Sequence, residues 1–289
     1  MSYGVALRNG VPFTLGTIAA LCTNATGSAW SPLSLWPDGI DSPGMWISPR
    51  DLTSQWQDYT GTTPVAVPGT VADASNPVGL ALDIRAGATA LTDPGNHMLQ
   101  STSSARPLMS AYDGQTLGPG NTYSSTGYPI YQKYDGVDDG MATAAFTAGT
   151  LINGMDCMIP VRRDSAAASM AGLISPQGWF GFAINAPGGV CFSGCGSPTV
   201  FVDNVQLSGG TSVDRATLDT ALTVGDAHIL EFRDLDLSAW TQATFGDLSG
   251  VYLFNGARGD IMLYPSTDPT EDKDAARQWL ADYYGVTLA

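Results

Sequence analysis

An all-β, two-sheet antiparallel sandwich is the fold class this 289-residue sequence predicts, and three observations carry it. Charged residues make up only 13%, whereas Gly (34) and Pro (18) are plentiful, a balance that suits many turns joining short strands. Glu stands only at 231 and 271, so nearly every acid is Asp, which favours turns and caps over helix interiors. Apolar residues in the C-terminal half recur mainly with period two, not 3.6. With 44% hydrophobic residues the chain can bury a sizeable core without staples.

Residues 1–42 hold short apolar stretches cut by Gly, Pro and Ser, and they leave through the Pro-rich "WSPLSLWPDGIDSPG" (30–44). They read as an extended arm and linker, 1–42, ahead of a single domain over 43–289. Val5, Leu7, Val11, Phe13, Leu15, Ile18 and Leu21 make the arm too apolar for a solvated tail, so a partner surface is expected to cover it. "MWIS" (45–48) is a strand, and Ser48-Pro49-Arg50-Asp51 gives an N-cap with Pro at the first helical position, predicting a short helix through Trp56. "VGLALDI" (78–84) is the clearest strand of a loop-rich stretch, and "GQTLGPGNTYSSTGYP" (114–129) is a surface loop. Strands follow at "LINGMDCMIPV", "MAGLIS", "GWFGFAIN", "TVFVDNVQL", "HILEFRDLDL" and "GDIMLYP", at sandwich or jelly-roll spacing. The last element is a helix: Asp268 as N-cap, Pro269 next, Glu271 three residues after the cap, then Ala276, Trp279, Leu280 and Tyr283 on one face and Gly285 past the end.

A formal net charge of −15 repels phosphate backbones and anionic membrane surfaces, which excludes nucleic-acid binding as a main role. "PFTLGTIAALC" (12–22) has the look of a signal-peptide core, is far too short to span a bilayer, and is expected to be a packed arm. Asn24-Ala25-Thr26 fits the glycosylation pattern, which matters only in a eukaryotic secretory route. Cys22, Cys157, Cys191 and Cys195 are too scattered for a disulfide framework, and Cys191-x3-Cys195 lacks a second pair at zinc spacing. They read as small buried hydrophobes or as one local disulfide, 191–195.

"YQKYDGVDDGMAT" (131–143) gathers Asp135, Asp138 and Asp139 around two glycines. The Ca2+ loop pattern D-x-[DN]-x-[DN]-G-x5-E fails, because Val137 and Phe146 fall at its third and twelfth positions. A looser Ca2+ site from these three Asp residues and backbone carbonyls stands beside the plain reading, a turn whose Asp side chains bond nearby amides. Ca2+ is not expected to be needed for the fold. Neighbouring strand residues such as Asp138 and Asp139 point to opposite faces and make a poor glycosidase pair. His97 and His228 are the only histidines, no G-x-S-x-G, H-E-x-x-H, P-loop or dinucleotide fingerprint occurs, and His97 reads as a turn or packing residue.

The ordered segments "WSPLSLW", "GMWISPRDLTSQWQDYTGTTPV", "NPVGLALD", "GNHMLQSTSSARP", "YDGVDDGMAT" and "TEDKDAARQWLADYYGVT" resemble a module of bacteriophage and prophage tail and virion proteins, over roughly residues 30–289. That module is similar to laminin-G-like, concanavalin A-like jelly rolls. The resemblance implies a two-sheet jelly roll in which "YDGVDDGMAT" is a turn leading into a strand and the 268–283 helix closes the chain. It also implies a place on a virus particle, as a fibre, decoration or receptor binder. The E-x-D-x-x-E strand of related glucanases does not occur here, so their hydrolytic activity does not carry over. The expectation is a non-enzymatic virion protein in several copies or a small homo-oligomer, joined to other virion proteins through the arm and touching host surface glycan. The alternative is a polysaccharide-degrading or glycan-binding enzyme of the same fold.

Overall fold

The computed structural model describes residues 5–6, 12–13, 30–112, 127–146, 151–165, 171–175, 181–184, 192–208, 213–248 and 252–289. Two antiparallel sheets of nine and eight strands form the sandwich, and the chain passes repeatedly from one to the other, as in a jelly roll. The nine-stranded sheet centres on Asn153–Arg163, flanked on one side by Ala227–Asp236 and on the other by Asn255–Arg258 and Ile261–Pro265. Ile130–Asp135 and Leu108–Ala111 extend it beyond Asn255–Arg258, Met45–Ile47 pairs with Ile261–Pro265, and Thr199–Val202 lies beyond Ala227–Asp236. The eight-stranded sheet runs from Phe192–Ser193 through Ala171–Ser175, Thr244–Phe245 and Met141–Thr143 to Met98–Leu99, Leu80–Ala81 and Gln55–Trp56. The predicted strands at 45, 78, 151, 170, 178, 199, 228 and 259 all contain observed ones.

Period two in the central strand sets the layers. Met155, Cys157, Ile159 and Val161 face the other sheet, alongside Leu230, Phe232, Ile261 and Leu263 of the neighbouring strands, and Met98, Met141, Ile174 and Phe245 of that other sheet share their core. Met158, Ile229, Met262 and Tyr264 face outward into a second cluster, capped by the C-terminal helix Thr270–Tyr284 through Ala276, Leu280, Ala281 and Tyr284. Both faces of this sheet are therefore buried. The outer face carries charges as well: Glu231, 1% exposed, is held by Arg277 (2.8 Å) and Arg233 (2.7 Å), and Lys273 bonds Asp156 at 2.8 Å.

Three expectations shift. The domain boundary at residue 43 moves toward the N-terminus: Trp30, Leu35 and Trp36 are buried in the outer cluster, and Trp36 stacks on Trp46 with centroids 5.9 Å apart. The segment drawn as a linker is core, because the outer sheet face needs more apolar cover than the helix supplies. Gly44 lets this segment pass close to the sheet: with φ at 118°, any Cβ there would lie 1.9 Å from the Leu263 carbonyl oxygen. The helix expected from Ser48 through Trp56 shrinks to a 3-10 turn, Leu52–Ser54, capped by Asp51 and not Ser48, since Gln55–Trp56 is drawn into a strand. Asp268 does not cap the last helix; Pro269 stands at the cap without a side-chain bond, while Gly285 ends the helix in the left-handed conformation expected of it. In the arm, Val5–Ala6 pairs with Pro12–Phe13; the rest of 1–29, with Cys22 and Asn24, lies outside the described residues, as do Cys191 and residues 114–126 of the predicted loop.

Candidate functional site

An open groove of about 390 Å³ lies against the eight-stranded sheet and is lined by Tyr59, Gln100, Ser101, Asp138, Thr143 and Gln242, among others. Its floor is the Met98–Leu99, Met141–Thr143 and Thr244–Phe245 strands, paired side by side. Two amides are fixed by this backbone: Gln100 Nε2 donates to the Gly140 carbonyl at 2.7 Å, and Gln242 Nε2 to that of Thr143. Their hydrogen bonds leave a wall of oriented polar groups facing solvent.

Tyr59, 44% exposed, forms one side. The loop that presents it is tied down by Asp58, whose carboxylate accepts from the Thr60, Thr62 and Thr63 backbone amides at 3.0, 3.1 and 2.6 Å and from the Thr60 and Thr62 hydroxyls. Desolvation pushes the carboxyl up, but these bonds together outweigh it and hold it well below its ordinary value. An exposed aromatic ring on a rigid loop beside amides and hydroxyls is the surface chemistry that stacks on the apolar face of a sugar and bonds its hydroxyls.

At the end of the groove, Asp135, Asp138 and Asp139 do come together: one oxygen of each lies within 4.8 Å of the others. They form the turn that carries the chain from Ile130–Asp135 in one sheet to Met141–Thr143 in the other. The Asp135 carboxylate accepts from Val137 N at 2.7 Å and Asp138 N at 3.4 Å, and Asp139 accepts from Asp135 N at 2.8 Å. The turn reading thus accounts for Asp135 and Asp139, while Asp138, which is exposed, is among the residues that line the groove. Three carboxylates at this spacing have the oxygens a Ca2+ ion uses.

Burial first, then repulsion from Asp135 and Asp138, raise the Asp139 carboxyl to about 7 against the hydrogen bond from Asp135 N. An acid whose folded value lies above its unfolded one binds its proton more tightly when folded, so stability falls as pH rises from the ordinary Asp range through about 7. Asp139→Asn is expected to flatten that slope and to be about 1–2 kcal/mol more stable than the parent at pH 8, a figure discounted for solvent near the turn. Urea midpoints at pH 5 and 8, with chelator present, check it; an unchanged slope in the variant assigns the pH dependence elsewhere.

The structure also assembles a constellation the sequence reading did not identify. His228 Nδ1 meets Asp203 Oδ2 at 2.6 Å, and its Nε2 lies 2.9 Å from Thr223 Oγ1, the order of groups in a nucleophile–base–acid relay. The remaining bonds tie the same atoms to local structure: Thr223 N donates to His228 Nε2 at 3.1 Å, and the Thr223 hydroxyl donates to Asp226 at 2.7 Å. With its lone pair taken by a backbone amide, the imidazole is a clamp between the Asp203 hairpin and the 223–226 turn, not a base with a free nucleophile. His97 is a packing residue: it is 5% exposed, its Nδ1 accepts from Asp83 N at 3.0 Å, and its Nε2 bonds the Asp93 carbonyl at 2.9 Å. Cys157 and Cys195 are buried, and burial pushes the Cys157 thiol up, away from reactivity. Among the described residues no helix is long and apolar enough to cross a membrane. No family model, curated protein or solved structure matches the chain.

Proposed function

We propose that this chain is a non-enzymatic phage virion protein that displays its sandwich at the particle surface and touches host glycan through the Tyr59 groove. The observation that carries the glycan part is the groove itself: an exposed ring held by the Asp58 turn, facing amides and hydroxyls already oriented by the sheet. The virion part rests on the ordered resemblance of residues 30–289 to phage tail and virion modules, and the apolar residues of the arm suit a segment buried by another subunit. Asp138 is the one carboxylate lining the groove, and the two-acid arrangement of a glycosidase needs a second across the sugar bond.

Binding of host envelope polysaccharide, measured by calorimetry or on a glycan array, tests the reading. Tyr59→Ala is expected to weaken it roughly tenfold, the loss of one ring-stacking contact. Equal binding by parent and variant would move the site elsewhere. Sustained release of reducing sugar would replace this reading with that of a polysaccharide-degrading enzyme, and absence of the chain from purified particles would remove the virion assignment.

A further inference from the structure

The pairing of the central strand is irregular opposite Asp156. Met155 pairs with Leu235 and Cys157 with Phe232, so Arg233 and Asp234 together stand against Asp156 alone. Asp234 takes the left-handed conformation there, with φ of 62°, which is costly for a residue with a side chain. Its amide donates to Asp156 Oδ1 at 3.0 Å. The other carboxylate oxygen, Oδ2, lies 2.8 Å from Nζ of Lys273 in the first turn of the last helix, and Nζ also donates to the Ser266 carbonyl. The Asp156 side chain is 1% exposed and that of Lys273 is mostly buried.

Among the described ion pairs this one alone uses a lysine; the others use guanidinium or imidazole. A guanidinium keeps its proton, whereas an amine that gives one up is a nucleophile. Burial raises the Asp156 carboxyl against the hydrogen bonds from Lys273 and Asp234, so passing a proton from Nζ to Oδ2 costs less here than in water. A second acid stands nearby. Asp268 Oδ2 is buried with no hydrogen-bond partner. Burial first, then the charges of Asp156 and Asp272, raise this carboxyl to about 6 against the attraction of Lys273, so its field reaches both members of the pair.

We infer that Lys273 and Asp156 are the site of an intramolecular amide cross-link, Nζ to Cγ, with the Asp234 amide polarising the reacting carbonyl and Asp268 relaying a proton. The Lys273 ammonium first gives a proton to Oδ2, leaving an amine beside a carboxylic acid. The Nζ lone pair then attacks Cγ, and Oδ1, held by Asp234 N, carries the negative charge of the tetrahedral intermediate. Asp268 protonates Oδ2, which leaves as water when its bond to Cγ breaks, and takes up the second proton of Nζ. One ammonium and one carboxylate become one amide and one water, with no oxidant or co-reactant. The bond joins the last helix to the central strand across 117 residues of chain, a constraint that acts mainly on the unfolded state. The assignment is independent of the glycan groove and of a virion location.

Mass spectrometry of the full chain tests it. The expected intact mass is one water below that of the sequence, and a tryptic digest is expected to yield a branched peptide joining Lys273 to Asp156. Lys273→Arg keeps the ion pair without the amine and is expected to show the full mass and no branched peptide. Asp268→Asn is expected to leave most freshly purified chains unjoined. If the variants do not fold, the parent's mass and digest decide alone. A folded parent at full mass with an unmodified Lys273 peptide overturns the proposal, as does a lost water that persists in Lys273→Arg; joining at the parent's level in Asp268→Asn overturns the relay.

Discussion

Replacing Glu231 by Ala is expected to destabilise the protein by about 3–5 kcal/mol, the range seen when one partner of a buried ion pair is removed. Glu231 sits on the outer face of the central sheet and accepts from Arg277 Nε and Nη2 at 2.8 and 3.1 Å and from Arg233 Nε and Nη2 at 2.7 and 3.1 Å. Burial opposes its charge, but these four bonds win and hold the carboxyl below the ordinary Glu value. Its contribution is therefore present above that value and is lost as pH falls through the lowered one. Without it, Arg277, with a side chain only 5% exposed, is left under the helix with Asp274 alone, whose carboxylate is mostly in solvent. Arg233 is 30% exposed and can turn to water while resting on the Phe201 ring. The double variant Glu231→Leu/Arg277→Met is expected to recover most of the loss, because an apolar pair of similar size often equals a buried ion pair. Urea unfolding followed by tryptophan fluorescence measures both; a Glu231→Ala loss under 1 kcal/mol would mean that the outer layer is wetter than its burial indicates.

The strands were legible because one face of nearly every strand feeds the inter-sheet core, and alternation survives in the sequence even where the other face is buried too. In "HILEFRDLDL", Leu230 and Phe232 point inward while Ile229 and Glu231 point outward, so the period shows through. What alternation does not show is that the outer face has its own cover. In the Pro-rich 30–44 segment the breakers point to a linker, but its bulky apolar residues, Trp30, Leu35 and Trp36, are the better signal: solvated linkers rarely carry three in seven positions. Cap chemistry at Ser48 was overruled by pairing of Gln55–Trp56 with Leu80–Ala81, a contact made far along the chain. The Asp turn was legible as a turn, because Asp and Gly have local reasons to be there. The groove beside it was not, since Tyr59, Gln100, Asp138 and Gln242 come from four separate segments and converge only when the sheet forms. His228, Asp203 and Thr223 are close in sequence, yet their meeting depends on the left-handed Asp203-Asn204 turn, with φ of 52° and 71°, which returns the hairpin onto His228.

A chain beginning at residue 43 is expected not to fold cooperatively, whereas one beginning at residue 28 is expected to keep the parent's unfolding transition. The difference is the segment 30–42. Trp36 is 2% exposed, stacks on Trp46, meets Tyr264 edge-on at 6.3 Å and donates its indole hydrogen to the Leu263 carbonyl at 3.0 Å. Removing a core tryptophan of this kind costs about 3–5 kcal/mol, and the fully buried Leu35 adds about 2–5. Trp30 contributes a bond to Asp272 at 2.9 Å and an edge contact to Trp279, which pin the start of the last helix. Together these losses, about 5–10 kcal/mol before Trp30 is counted, are comparable to the roughly 5–15 kcal/mol by which natural domains are stable. They also strip cover from Trp46 and Tyr264, so the shortened chain would present aromatic surface and aggregate. Near-ultraviolet circular dichroism and a thermal melt of both chains give the answer. A cooperative melt of the 43–289 chain within a few degrees of the parent would show that the outer cluster closes without its N-terminal strap. The chain from residue 28 then becomes the reagent for the arm: folded, soluble and able to bind glycan, but expected to fail to enter particles, because residues 1–27, the segment assigned to docking, are gone. Normal incorporation of that chain would place the docking surface on the sandwich itself.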